Sequence, residues 1–452
     1  MNSQKIIIIG SGAAGLTAAS TIRKYDANMK ITIITKATHI AYSPCAIPYC
    51  IGNEIESFDD IVMHTKEDYA LKGIKIITKS EVIDINSIEN KLNYKSDDGA
   101  IKELKYDSLV ISTGGTPFLP PIDGVNLKGV FKIKTIEDGI NVKAWIAKTK
   151  RVVVAGAGAI GLETAYSLKQ MGLVVTVVEM MPQILPRALD VDMAGIAKKY
   201  LEGCGIEFLM NYPIEKIVGT EKVEGVVVNG NLIDCEMVIM ATGIRSNLEL
   251  AKIAGVEIGK FAIKVNENMQ TSISNIYAAG DCVEVIDFIS NEVTLSPFGT
   301  TAVRQGKVVG ANITNCDWAN KLFKPVLNAM ISKIGELEIG GTGYTEILSN
   351  AHGIEFIVGN ATALTKARYY PDGKKIEIKI ICDKNKRIIG GQIIGTDRVA
   401  ERIDALTIAI LNNVAIDDLA NSEFCYAPPV SMINDPLAIA AWDACEKYAN
   451  KF

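Results

Sequence analysis

Histidine is scarce in this chain: only His39, His64 and His352 occur, and none follows residue 352. No metal site is expected. Long apolar runs are missing as well. The longest, IIIIG at 6–10 and RVVVAGAGAIG at 151–161, are broken by glycine and fall well short of the ~20 residues that span a bilayer, so no membrane segment is expected. The start, MNSQKIIIIGSG, enters a strand at once and lacks the basic stretch, apolar stretch and cleavage site of a leader, which points to a cytoplasmic chain. No Lys/Arg block accompanies the net charge of -5, so nothing favours nucleic acid as a partner. Nine cysteines, an odd number scattered along the chain, read as reduced thiols and not as a disulfide framework.

At 452 residues the chain exceeds what one hydrophobic core supports, and two to four domains are expected. Its strongest internal signal is a repeated unit. K-IIIIG-S-G-A-A-G at 5–15 returns as R-VVVAG-A-G-A-I-G at 151–161, each a β-branched strand, a glycine loop and the start of a helix. Small residues in those helices (Ala18, Ala19 and Ser20; Thr164, Ala165 and Ser167) suit close packing on a sheet. One G-x-G-x-x-G is weak evidence, but two copies in the same local context predict two Rossmann-type dinucleotide sites. Two further strand ends match each other, YDSLVISTGGTPFLPP at 106–121 and CEMVIMATGIRSNLEL at 235–250, each closing on a Thr-Gly turn; IYAAGD at 276–281 is a third strand-to-loop element. Beyond residue 325 the pattern changes to short β-rich segments, a helix from about Arg398 to Asn412, and a final helical stretch. The fold class is α/β, with two Rossmann-type domains and a C-terminal α+β domain that serves dimerisation.

In the first fingerprint Gly10 permits a tight turn, Gly12 lets a pyrophosphate approach the backbone beside Ala13 and Ala14, and Gly15 allows close helix–strand packing. The phosphates would rest on a helix N-terminus. The second strand of this unit ends in Thr35 and Lys36 where an acidic residue is usual; Thr35 would bond the ribose and Lys36 would meet a phosphate. The second fingerprint is complete: Gly156, Gly158, Ala159, Ile160 and Gly161, then a strand ending in Glu179. A carboxylate there accepts from the ribose hydroxyls and repels a 2′-phosphate, favouring NADH over NADPH. The alternative is a strand-end residue that is merely solvated.

With these motifs in place, the chain resembles the pyridine nucleotide-disulfide oxidoreductases along nearly its whole length. The resemblance implies FAD at the first fingerprint and NAD(P)H at the second. It assigns Thr113, Gly114, Gly280 and Asp281 to FAD, and Gly243, in the second Thr-Gly turn, to NAD. It also places Gly299, Thr300 and Thr301, in LSPFGTTAVRQGKVVGANI, near the flavin pyrimidine at a helix N-terminus. The implied domains are 1–116 with 246–325 for FAD, 117–245 for NAD(P)H and 326–452 for dimerisation.

AYSPCAIPYCIGNEI at 41–55 is similar to the single-cysteine branch of that family, which holds CoA-disulfide reductases, NADH oxidases and NADH peroxidases, and is most similar to archaeal NADH oxidases. Cys45, following Pro44, is then the redox-active residue, cycling between thiolate and a CoA mixed disulfide or sulfenic acid. A helix N-terminus at this point would favour its thiolate. Cys50 keeps a dithiol reading open by its C-x4-C spacing, but the flanks of the two-cysteine branch and its C-terminal His–Glu pair are absent. Ala13 stands where peroxidases and water-forming oxidases carry a histidine. Tyr426 in EFCYAPPVSM and Tyr369 (or Tyr370) in ARYYP would protonate a departing CoA thiolate of the partner subunit, or else only pack a homodimer interface. Arg23 and Lys24 would meet CoA phosphates, or else form a solvated surface. Three functions follow: NADH-dependent reduction of CoA disulfide, persulfide or polysulfide; reduction of dioxygen as an NADH oxidase; and a non-catalytic NADH-responsive flavoprotein.

Overall fold

The computed structural model describes residues 3–316 and 321–451. The first parallel sheet runs, in spatial order, Ile276–Ala278, Ser108–Ile111, Lys5–Ile9, Lys30–Ile34 and Ile74–Ile77. Ile6 to Ile9 are all buried, in one core shared with helix Ala13–Tyr25 and with Val82, Leu92 and Tyr94 of an antiparallel meander. The second sheet repeats the scheme as Ile206–Met210, Val174–Glu179, Arg151–Ala155, Met237–Met240 and Val130–Lys132. Each unit also carries a three-stranded antiparallel meander, at Glu81–Lys105 in the first and Ile214–Asp234 in the second. Neither meander was evident as a sequence pattern. In the helices after the glycine loops, Ala18, Ala19, Thr164, Ala165 and Ser167 are buried as expected, whereas Ser20 is exposed.

The C-terminal sheet is antiparallel, ordered Met330–Ile334, Leu337–Gly343, Ile388–Gly395, Lys375–Asp383 and Phe356–Leu364. Helices Val399–Leu411 and Pro436–Lys451 pack on it, the first close to its expected bounds. The sheet docks on the second unit through Lys379, whose side chain is almost wholly buried and whose Nζ donates to Asp192 at 2.5 Å and Glu346 at 2.6 Å. A buried cation is tolerable only with such partners.

One local packing decision positions the site. The short helix Ile47–Ile51 leaves the first unit and buries Ile47, Cys50 and Ile51 in the core of the second. There it lies against helices Ile136–Ile146 and Ala159–Gln170: a Cβ at Gly139 would come within 2.8 Å of the Ile47 side chain, and one at Gly52 within 3.0 Å of Ser167. Cys45, just ahead of this helix, is therefore held at the seam between the units.

Candidate active site

The two glycine loops are near copies in three dimensions. Gly10 and Gly156 turn at φ 106° and 107°, and Gly12 and Gly158 cap helices Ala13–Tyr25 and Ala159–Gln170. A Cβ at Gly15 would lie 2.2 Å from the Gly10 carbonyl oxygen, and one at Gly161 2.1 Å from that of Gly156, so both positions exclude any side chain. A Cβ at Gly12 or Gly158 would instead meet nothing within 4 Å. The third glycine serves the fold and the middle one leaves space above a helix N-terminus, which fits a pyrophosphate in each unit.

Around the first loop, Ala13 is exposed and Ala14 buried, with Gly280 (φ 92°) close to the Ala14 side chain. The Gly280 N–H donates to Gln305 Oε1 at 2.7 Å, tying the Gly280–Asp281 turn to helix Gly299–Ile313. That helix begins at Gly299 as expected; Gly299 and Thr300 are exposed, and Thr301 is buried and bonded to Ser296 at 2.9 Å. Thr35 accepts from Ser11 Oγ at 3.0 Å and from Ala37 N–H, so its hydroxyl is partly engaged, while Lys36 is exposed at the strand end. The two Thr-Gly turns meet: Gly115–Pro117 pairs antiparallel with Ile244–Ser246, and Asn247 bonds both Thr113 and Gly114. Gly243 (φ 95°) faces open space. Two strands that cross between the units thus bring both cofactor turns side by side.

In the second unit Glu179 is buried at its strand end, accepting from the N–H of Ala157 at 2.7 Å and of Met181 at 2.8 Å. The carboxylate is part of the glycine loop and not a solvated strand end. Ala159 is half-buried and Ile160 exposed at the mouth. Glu179→Gln should raise KM for NADH about tenfold, the worth of one charged hydrogen bond, and narrow the preference over NADPH. Initial rates with both nucleotides test this, and an unchanged KM ratio would remove Glu179 from the specificity of the site.

Cys45 is exposed and Cys50 is fully buried, with its thiol directed to the Ser57 carbonyl at 3.7 Å. Cys50 is a core residue, which argues against the dithiol reading. The expectation of a thiolate favoured by a helix N-terminus is also corrected. Cys45 lies in a single 3-10 turn, Pro44–Ala46, ahead of a five-residue helix too short to supply much dipole. Its thiol is pushed up, first by partial desolvation although solvent still reaches the residue, then by the Glu163 carboxylate; Lys134 opposes both, and Asp281 adds to the rise. Lys134 Nζ lies 3.4 Å from Asp281 Oδ2.

Glu163 and Lys134, whose charges bear on Cys45, were not singled out by the sequence. Burial pushes Glu163 up to about 7, while a hydrogen bond from Ser332 Oγ at 2.6 Å pulls the other way. Tyr49, also pushed up by burial and by Glu163, donates to the Lys333 carbonyl at 3.1 Å. The only sequence hint was placement: Glu163 lies one turn into the helix that opens at Gly158, and Lys134 just before a Thr135–Asp138 capping box.

Tyr369 and Tyr426 come together on the C-terminal domain, both exposed, with their hydroxyls 3.0 Å apart; that bond raises Tyr426. Arg23 does not serve as expected. Its guanidinium donates to four backbone carbonyls, those of Asp26 (3.1 Å), Ala27, Met29 (2.7 Å) and Gly73 (3.0 Å), so it closes a loop and is not offered to a CoA phosphate. Lys24 lies 5.6 Å from the Tyr25 ring. Among the described residues there is no metal-binding cluster and no helix long and apolar enough to cross a membrane.

Two dinucleotide cradles, joined at paired crossing strands with one exposed thiol, Cys45, at the seam, define an oxidoreductase of the two-nucleotide type. Comparison with known proteins agrees: the pyridine nucleotide-disulphide oxidoreductase model matches residues 4–306, and the dimerisation domain of that family matches 331–436. The chain belongs to this family, whose members use FAD and NAD(P)H. It is 60% identical, over 99% of its length and 100% of the relative's, to a Methanocaldococcus jannaschii protein named NADH oxidase. It is 32% identical, over 97% of its length and 98% of the other's, to a Pyrococcus horikoshii NAD(P)H coenzyme A polysulfide/persulfide reductase. A solved NAD-dependent persulfide reductase from A. fulgidus superposes with a TM-score of 0.95 at 35% identity, covering 99% of this chain and 84% of that one.

Proposed function

We propose that this oxidoreductase passes electrons from NADH through Cys45 to CoA disulfide or a related persulfide or polysulfide. The observation that carries the reading is the single accessible sulfur at the seam, with the nearest alternative, Cys50, sealed in a core. FAD, held at the first cradle, supplies the two-electron link between the nicotinamide and this sulfur. The relatives named for coenzyme A and persulfide support the acceptor class.

The Cys45 thiolate attacks one sulfur of the acceptor, forming a Cys45–S–S–R bond as the other sulfur leaves as RS⁻ and takes a proton. Two electrons and a proton then cleave the mixed disulfide, restoring the thiolate and releasing the second RSH. Because burial and the Glu163 charge hold the Cys45 proton, against the opposing charge of Lys134, the attack is favoured when Glu163 is itself protonated. In a homodimer, the Tyr369–Tyr426 pair of the partner subunit supplies the proton to RS⁻. Arg23 being engaged, the CoA phosphates are met by other groups.

The oxidase reading rests on the name of the 60% identical relative. An anaerobic NADH titration with peptide mass spectrometry, followed by turnover assays with CoA disulfide and with oxygen, separates the two. A CoA adduct on Cys45 and fast disulfide turnover establish the reductase; rapid oxygen consumption that survives Cys45→Ser establishes the oxidase. A protein that stays reduced and turns over neither acceptor would be the non-catalytic flavoprotein. Reciprocal contribution has its own test. Inactive Cys45→Ser chains mixed with inactive Tyr426→Phe chains should recover about a quarter to a half of wild-type activity, as intact sites reform in the mixed dimers. No recovery in verified mixed dimers would remove Tyr426 from the opposing site.

A further inference from the structure

We propose that Ser332 is a positioning residue of the redox site: its hydroxyl, delivered by the first strand of the C-terminal sheet, holds the Glu163 carboxyl and so governs the charge that faces Cys45. The inference rests on Cys45 being the reacting sulfur. It assigns a regulatory part to a domain otherwise associated with dimerisation.

Three observations carry it. Ser332 is 3% exposed, and its Oγ donates to Oε1 of the half-buried Glu163 at 2.6 Å, a bond between the C-terminal sheet and helix Ala159–Gln170. The hairpin that holds it is pinned on either side: Tyr49 donates to the carbonyl of Lys333, and the N–H of Glu336 donates to the Tyr200 hydroxyl at 2.9 Å. The turn leaves no slack, since a Cβ at Gly335 would lie 2.7 Å from both the Tyr166 and the Tyr200 hydroxyls. Third, Glu163 lies on helix Ala159–Gln170, against which the short helix following Cys45 packs, and after desolvation its charge does most to push the Cys45 thiol up.

The charged and titratable groups around this pair are few. Cys45 and Tyr49 both feel Glu163; Lys134 and Asp281 act on Cys45 from the cofactor side; Glu54 acts on Tyr49; and Lys333 flanks Ser332 on its strand. Burial raises Glu163 and the Ser332 bond lowers it, so the balance of the two places the carboxyl near neutrality. Without the hydroxyl, Glu163 keeps its proton to higher pH. Less negative charge then faces the sulfur at a given pH, and a larger fraction of Cys45 is thiolate.

The test is the rate at which iodoacetamide alkylates Cys45 in the FAD-loaded protein, pre-reduced and freed of reductant without oxygen, followed by peptide mass spectrometry from about pH 6 to 9. Ser332→Ala should alkylate about threefold faster near neutral pH, a modest shift for one hydrogen bond acting through a neighbouring charge. Glu163→Gln should do at least as much, and Ser332→Thr, which keeps the hydroxyl, should stay close to wild type. Ser332→Ala placed on Glu163→Gln should add nothing, because Ser332 acts only through the carboxyl. If Ser332→Ala does not fold, Ser332→Cys, a weaker donor of similar size, is compared in the same way. An unchanged profile, no rescue by threonine, or a further change on the Glu163→Gln background would each overturn the assignment. No CoA is present, so the outcome is independent of whether CoA disulfide proves to be the acceptor.

Discussion

Cys45→Ser should lower NADH-dependent reduction of CoA disulfide by on the order of 10³-fold or more, because a serine hydroxyl neither ionises near neutral pH nor forms a bond to sulfur that two electrons can cleave. Reduction of the bound flavin by NADH should remain within about twofold of wild type, since the nucleotide cradle at Gly156–Gly161 is untouched. Cys50 cannot substitute: it is fully buried between two helices, and Lys143 donates to its carbonyl at 3.0 Å, fixing the end of its helix. Stopped-flow flavin reduction and steady-state disulfide turnover on the same preparation read both quantities. Full disulfide turnover in the variant would end the assignment of Cys45 as the reacting sulfur. Loss of flavin reduction as well would show that the substitution disturbed the seam and not only the thiol.

The glycines of the first cradle should separate into two kinds of failure. Gly15→Ala drives a methyl to within 2.2 Å of the Gly10 carbonyl oxygen and 2.6 Å of Ser112 Oγ. Neither neighbour can yield easily, because Ser112 Oγ itself bonds the Ile9 carbonyl at 2.8 Å. The variant should lose roughly 2–3 kcal/mol of stability by overpacking, purify without flavin and melt several degrees lower even when compared with flavin-free wild type. Gly12→Ala adds a methyl that meets nothing in the polypeptide. Its flavin-free melting temperature should match wild type, while FAD affinity falls by about two orders of magnitude because the methyl occupies the close approach to the helix N-terminus. Equal melting of the two flavin-free variants would contradict the packing role of Gly15, and normal FAD content in Gly12→Ala would contradict the phosphate cradle.

The contrast shows why so much of this architecture was legible before any coordinates. A Rossmann cradle is built from neighbours in the chain: turn, cap and helix-packing glycine fall within six residues, and the strand ahead announces itself by consecutive β-branched residues. The same holds for Glu179 at its strand end and for the change to short β-rich segments after residue 325, while helix Gly299–Ile313 was expected through resemblance to a known family. The Cys45 segment was located by its resemblance to the single-cysteine branch of that family. Other expectations failed where distance in sequence hides contact in space. Arg23 looked available for an anionic ligand until Met29 and Gly73 converged on it with unpaired carbonyls. The Cys45 thiol looked activated by a helix, yet its ionisation answers first to desolvation and then to a carboxylate more than a hundred residues away.

Local sequence was enough to determine two nucleotide cradles and their order, because those features depend on backbone conformation and helix polarity over a single turn, while Cys45 was singled out by resemblance to a known family. Only the tertiary structure decided that Cys50 is sealed, that Glu163, Lys134 and Asp281 bear on Cys45, and that Ser332 reaches Glu163 from another domain. The reason is that desolvation and Coulomb interactions depend on three-dimensional separation and on what excludes water, and no spacing along the chain encodes either.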